Sequence, residues 1–260
     1  MLEVIEKGAA SQPHPAPLLF VHGAWHAAWC WDENFLDFFA DRGFHAVAVS
    51  LRGHGRSTLS KPLNSVTFAD YVDDVRSAVG MLGSEPVLIG HSLGGLIVQK
   101  YLENLRVPAG VLLASYPPQW ARRMAVSLRA ALRHPSRTIR ANSVGTLADL
   151  VNTPRLAREF LFCENTPQGT VESCAVRMQP ESKRAGAIFV RVRPSRLTTP
   201  LLVLDGEHDA VLTRNEARAT ASAYGTEAVF FSSMGHNMML EPGWREVADH
   251  ICEWLAIKNL

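Results

Sequence analysis

The stretch from Glu85 to Glu103, EPVLIGHSLGGLIVQKYLE, constrains the fold of this chain more than any other. Val87-Leu88-Ile89 is a short, wholly apolar run, as an interior strand requires. Gly90-His91-Ser92-Leu93-Gly94 turns the chain, and an amphipathic helix follows with Leu96, Ile97, Tyr101 and Leu102 on its inner side. A G-x-S-x-G motif between strand and helix is the context in which the serine is a nucleophile on a sharp elbow. Glycines at 90, 94 and 95 let strand and helix close around a serine held in a strained conformation. The turn also sets Ser92 at a helix N-terminus, where free N–H groups and the helix dipole favour negative charge.

The same alternation runs through most of the sequence. Leu2–Glu6 predicts an edge strand. Leu18–Val21 predicts a buried one, ending in His22-Gly23-Ala24-Trp25, a turn that suggests backbone amides free to bind an anion. A helix is expected from about Trp29 to Asp41, closed by Gly43. Phe44–Leu51 is the next strand, and its loop, Arg52 to Ser57, is read as braced by its own arginines. Thr67 caps a helix to Leu82, with Asp70 three residues on. Ala109–Ser115 is a further strand. From Pro200 the rhythm resumes: a strand at Leu201–Leu204, a helix at Arg214–Tyr224, a strand at Glu227–Phe231 and a closing helix at Trp244–Ile257. Strands this apolar cannot face water on either side, so the fold class is α/β, a mostly parallel sheet with helices on both faces. In such sheets functional groups gather beyond the strands' carboxyl ends.

Between Pro117 and Pro200 the rhythm breaks. Helical segments are predicted at Trp120–Arg133, Thr146–Val151, Pro154–Phe162 and Thr170–Met178, with one strand-like run at Ile188–Val192. This stretch holds 14 Arg or Lys against 5 Asp or Glu, whereas the rest of the chain has 12 against 20. The economical division is a core of residues 1–116 and 200–260 with a helical lid at 117–199. On the first lid helix Met124, Leu128, Ala131 and Leu132 share a side opposite Arg122, Arg129 and Arg133. The expectation is that the apolar side faces the sheet and roofs a greasy pocket, leaving the arginines on a solvated face.

Composition narrows the function classes. A net charge of +1 gives no reason to expect nucleic acid. No apolar run approaches the roughly 20 residues that span a bilayer, and no secretory signal is visible at the N-terminus. Cys30, Cys163, Cys174 and Cys252 show neither a C-x-x-C pair nor the density of a disulfide framework, which suits free thiols in a cytoplasmic protein. No ligand spacing for a metal is present, and no cofactor is expected.

A serine hydroxyl near neutral pH needs a base, and the base needs an acceptor on its other nitrogen. Ser92, Asp209 and His236 follow three separate strands in the order serine, acid, histidine. Asp205 and Glu207 rival Asp209, but Asp205 falls at the strand end, where it would brace the turn. The oxyanion donors are expected at the N–H of Leu93 and, from the His22-Gly23 turn, of Ala24. Trp25 and Met238 are candidates for the substrate pocket, with Met239 beside them as an adaptable apolar wall. Trp29 and Trp31 are assigned to the core.

The pieces FVHGAWHAAWCW, LRGHGRS, GHSLGG, LLVLDGEHDAV and SMGHNMML resemble the α/β-hydrolase superfamily over nearly the whole chain. The sequence is most similar to small bacterial serine hydrolases of the esterase and lysophospholipase type, and more distantly to plant methylesterases and hydroxynitrile lyases. The resemblance implies the triad Ser92, Asp209 and His236, the oxyanion donors Ala24 and Leu93, and cleavage of a small apolar or aromatic carboxylic ester. Epoxide hydrolases and haloalkane dehalogenases carry an aspartate at the elbow, where this chain has Ser92. The hydroxynitrile lyases carry a lysine after the catalytic histidine, where this chain has Asn237. Cofactor-free haloperoxidases share the triad. Two other readings stay open at this point: a C–C bond hydrolase or lyase acting on a carboxylate-bearing substrate, and a receptor with slow turnover.

Overall fold

The structure is a computed structural model, and it describes residues 1–143, 146–185 and 190–260. Seven strands form one sheet: β1 (Glu3–Lys7), β2 (Leu18–Val21), β3 (Ala46–Ser50), β4 (Val87–His91), β5 (Gly110–Leu113), β6 (Leu201–Gly206) and β7 (Ala228–Phe231). Their spatial order is β1-β3-β2-β4-β5-β6-β7. Only β1 is antiparallel, with Glu3 opposite Ser50; the other five pairings are parallel. Every residue of β2, β3, β4, β5 and β6 is buried, as continuous apolar runs demand when helices cover both faces. The chain winds one way from β2 to β3 and the other way from β4 onward. The crevice between β2 and β4 is therefore the switch point at which α/β sheets place ligands.

The helices around the sheet are α1 (Trp29–Asp32), α2 (Phe35–Ala40), α3 (Phe68–Met81) and α4 (Leu93–Tyr101). Between β5 and β6 come α5 (Trp120–Arg133), α6 (Pro135–Ser143), α7 (Pro154–Leu161) and α8 (Gln168–Arg177). Finally α9 (Arg214–Ala223) and α10 (Trp244–Ile257) complete the chain. Thr67 caps α3 in a reciprocal box with Asp70, as its spacing predicts. Two apolar clusters flank the sheet. One, on the α1, α2 and α10 side, centres on Phe20, Trp31, Phe35 and Ile251. The other, on the α3 and α4 side, centres on Val49, Tyr71, Leu88 and Ile97. In the loop after β3, Arg52 spans Asp70 and Asp74 at 2.9 and 2.6 Å, and Arg56 pairs with Glu3 at 2.8 Å. These arginines hold the loop in place.

The structure corrects several expectations. The helix foreseen over Trp29–Asp41 is two short helices, because Asn34 leaves helical geometry at φ −143° and donates to the carbonyl of Met239 at 3.0 Å. The run at Thr146–Val151 is a single 3-10 turn, Leu147–Leu150. Of the strand-like run Ile188–Val192, residues 188 and 189 lie outside the described residues, and residues 190–192 are not strand.

The largest correction concerns α5. Its apolar side faces outward: Met124, Leu128 and Leu132 are 42, 59 and 71% exposed. The side turned inward carries Val126 and a fully buried Arg123. Arg123 donates to the carbonyls of Pro117 and Pro118 at 2.6 and 2.7 Å, and to that of Val190. Arg129 forms a two-pronged pair with Glu216 of α9 at 2.9 and 2.6 Å. Guanidiniums that satisfy loop carbonyls and a buried carboxylate outweigh the burial of three apolar side chains, since each unpaired polar group would cost about 1–3 kcal/mol.

Candidate active site

The loops after β2, β4, β6 and β7 meet at the carboxyl edge of the sheet. At the β4–α4 junction Ser92 adopts φ 51° and ψ −114°, a conformation closed to most L-residues. Two glycines permit it: a Cβ on Gly90 would lie 2.6 Å from the carbonyl of Gly94, and one on Gly94 would strike the carbonyls of Val21 and His22. The backbone N–H of Ser92 donates to Leu113 at 3.0 Å, which ties the elbow to β5.

His236 lies 2.9 Å through Nε2 from the hydroxyl of Ser92 and 2.7 Å through Nδ1 from Asp209 Oδ2. With its proton on Nδ1, the ring donates to the carboxylate and turns the Nε2 lone pair towards the serine, the arrangement a general base needs. Asp209 is fixed in turn, because its Oδ1 accepts the backbone N–H groups of Val211 and Leu212 at 2.7 and 2.8 Å. The side chains of His236 and Asp209 are 3 and 2% exposed, and Ser92 is 6% exposed, so the relay sits nearly free of bulk solvent. Asp209, rather than Asp205 or Glu207, is the carboxylate bonded to the histidine. Glu207 faces outward and pairs with Arg214.

Asp205 stands directly behind this pair. It is 1% exposed, accepts the N–H of Gly206 at 2.8 Å and shares a hydrogen bond with Asp209. Burial, reinforced by the neighbouring Asp209 charge, holds its carboxyl well above the usual carboxylate range. It therefore braces the turn, as expected, and also presents a protonated acid to Asp209.

The His22-Gly23 turn reaches Ser92 from the β2 side, close enough that a Cβ on Gly23 would sit 3.0 Å from the serine Cβ. Among the described residues, the N–H groups of Ala24 and Leu93 donate to no protein acceptor. Trp25, next in line, adopts φ 67°, a second strained residue at the same edge. Its carbonyl accepts the N–H of Gln179 at 2.9 Å. Met238 is fully buried in the larger apolar cluster with Met234 and Met239, beneath the His236 loop rather than on an open wall. Trp31 is core; Trp29 is partly buried and stacks under Arg177 at 4.0 Å.

Three further histidines frame the site. His22 donates from Nδ1 to Gly23 at 2.7 Å and accepts the N–H of Leu51 at 3.0 Å, which shapes the turn before Ala24. His26 donates to the carbonyl of Ala24 at 2.8 Å and accepts from Asn237 at 3.2 Å, linking that turn to the residue after His236. His91 bonds the carbonyl of His236 at 3.0 Å. Burial is the main reason that all three stay neutral: His26 is pushed down to about 4, and His22 and His91 lie well below the ordinary histidine range. Glu241, fully buried, accepts the N–H of Gly235 at 2.9 Å and of Cys163 at 2.8 Å, and also the hydroxyl of Thr166. It thereby ties the His236 loop to the end of α7. Sequence reasoning missed these bracing residues. Among ten histidines only their spacing from the HG and GHS turns marked His22, His26 and His91, and nothing marked Glu241.

Two clefts of the described surface lie to the side of Ser92. One of about 410 Å³ is walled by Trp29, Cys174, Arg177 and Trp244, and one of about 620 Å³ by Arg158, Phe162, Cys163 and His208. Neither is lined by Ser92, and the chemistry is placed by the hydrogen-bonded relay rather than by cavity size.

Comparison with known proteins agrees with this fold. YisY, an AB hydrolase superfamily protein of Bacillus subtilis (strain 168), is 26% identical over an alignment 245 residues long that covers 88% of this chain and 87% of that protein. The bifunctional esterase/perhydrolase DCH of Acinetobacter calcoaceticus is 39% identical over 111 residues, 41% of this chain and 39% of its own. A thermophilic esterase from Thermogutta terrifontis shares the fold with a TM-score of 0.74 at 23% identity, over 100% of this chain and 94% of that one. The sequence profile of the Alpha/beta hydrolase family matches residues 18–250, from the first residue of β2 to within α10, and the chain belongs to that family as an enzyme of the hydrolase class.

Proposed function

We propose that the protein cleaves a small carboxylic ester through an acyl-enzyme on Ser92. The observation that carries this reading is the relay of Ser92 Oγ, His236 and Asp209 at 2.9 and 2.7 Å, built on a strained elbow at a helix N-terminus. In the first step His236 takes the serine proton as Oγ attacks the ester carbonyl, and it returns that proton to the departing alcohol. In the second, water attacks the acyl-enzyme with His236 again as base, and Ser92 regains its proton. The N–H groups of Ala24 and Leu93 receive the negative oxygen of each tetrahedral intermediate; one such donor is typically worth about 10²–10³ in turnover. No cofactor enters either step.

Residues 117–199 act as a lid on the core formed by 1–116 and 200–260, and the near-complete burial of Ser92 restricts access to small or slender esters. The esterase names of the DCH and Thermogutta terrifontis proteins support the reaction class. A carboxylate-bearing substrate of a C–C hydrolase or lyase is less well supported, because Arg123, Arg129 and Arg158 are engaged with protein carbonyls and carboxylates. The test is hydrolysis of short p-nitrophenyl esters by the wild type and Ser92→Ala. The expected result is multiple turnover with an early burst, lost in the variant; equal rates in both would remove Ser92 from the chemistry.

A further inference from the structure

The outer side of α5 forms a continuous apolar ridge. Trp120, Met124, Leu128 and Leu132 recur every fourth residue and are 63, 42, 59 and 71% exposed. Ile139 of α6 is likewise 70% exposed. Single exposed leucines are ordinary, but four large side chains in register over a helix of about 21 Å are not.

The charge carried by α5 and α6 themselves is of one sign. Between Pro117 and Ala148 the sequence has six arginines and neither Asp nor Glu. Arg123 and Arg129 are spent inward on carbonyls and Glu216, while Arg122, Arg133, Arg137 and Arg140 remain exposed on α5 and α6. An apolar ridge on a helix pair whose exposed charges are all guanidiniums suits contact with an anionic lipid interface, the ridge among acyl chains and the exposed arginines of α5 and α6 drawn to the headgroups. A second copy of the same face would bring two net-positive helix pairs together, so the charge disfavours self-association.

We propose that α5, with the start of α6, is a docking surface for anionic lipid. Its position gives the contact a consequence. Arg129 and Arg133 reach the carbonyls of Val211 and Ala210, the residues just after Asp209. A lipid surface on the outer face of α5 therefore lies about one helix diameter, ~10 Å, from the loop that carries Asp209. The proposal does not depend on the ester reaction, since binding and turnover are read separately.

The test is co-sedimentation of the full-length protein with phosphatidylcholine vesicles made with and without phosphatidylserine. The expected result is binding that requires phosphatidylserine and weakens as salt screens the arginines. Leu128→Glu with Leu132→Glu, and separately Arg122→Glu with Arg140→Glu, should each lower the vesicle affinity at least about tenfold. Both double variants alter exposed side chains and should hydrolyse a soluble short ester at the wild-type rate. Failure of the wild type to bind phosphatidylserine vesicles would overturn the proposal, as would unchanged binding in both variants. A wild-type dimer that Leu128→Glu with Leu132→Glu converts to monomer would overturn it too, by assigning the ridge to contact between copies.

Discussion

The β4–α4 junction and α5 dispose of their apolar side chains in opposite ways. Along β4 every residue is buried, and Leu88 and Ile89 supply the two sides of the core. Along α5 the large apolar side chains are exposed and the arginines make the attachments. The difference lies in what each element must satisfy. A strand at the centre of a sheet completes its backbone hydrogen bonds with its neighbours, so its side chains need only fill space. The segment holding α5 crosses loops whose carbonyls have no such neighbours, and Arg123 and Arg129 close that deficit. Hydrophobic burial holds the strand that delivers Ser92, whereas directed charge holds α5.

Substitutions sharpen this contrast, and the largest effects belong to the edge. His236→Ala should lower ester turnover by about 10⁴-fold or more while leaving thermal unfolding near that of the wild type, as steady-state kinetics and calorimetry would show. Next comes Leu112→Ala in β5, fully buried, which should cost about 2–5 kcal/mol in denaturant unfolding. On α5 the order inverts. Arg129→Ala leaves the buried Glu216 carboxylate with Thr213 but without its ion-pair partner and should cost about 1–2 kcal/mol, whereas Leu132→Ser should fall within about 0.5 kcal/mol. A loss at Leu132 larger than that at Arg129 would break the comparison.

Acid should act on the edge as well. His22, His26 and His91 are held neutral in the folded protein, whereas in the unfolded chain they take up protons near pH 6.5. The unfolded state then binds more protons, so stability is full above about pH 6.5 and falls as pH drops towards 4; His26 alone accounts for roughly 3 kcal/mol of that loss. Asp205 acts with the opposite sign. Its raised pKa keeps a proton that the unfolded chain releases above about pH 4, so it costs stability as pH rises. Asp205→Asn should therefore lose less stability than the wild type between pH 5 and pH 8 in paired unfolding curves. Because Asn can still donate a hydrogen bond to Asp209, the difference between the two curves reports the proton rather than the contact.

How much of this could be read in the sequence follows the same division. The strands were legible because a four- or five-residue apolar run has one stable fate in an α/β protein, and the elbow because its glycines leave few other geometries. Thr67 and Asp70 announced the start of α3 by spacing alone. The amphipathic pattern of α5 was just as clear, but a pattern fixes only the relative positions of two faces, not which one meets the fold. That choice depended on Pro117, Pro118, Val190 and Glu216, partners up to 87 residues away. The break at Asn34 likewise depends on the carbonyl of Met239, 205 residues on. Glu241 shares this property through Cys163 and Thr166, partners 78 and 75 residues away.

The account rests on Ser92 being an activated nucleophile, and covalent labelling reads that most directly. Exposure to a fluorophosphonate, followed by intact-mass and peptide mass spectrometry, should give one adduct per chain, located on Ser92. His236→Ala should label far more slowly, because the serine then lacks the base 2.9 Å away that takes its proton. No adduct on a folded wild-type protein, or an adduct on another residue with Ser92 unmodified, would contradict it.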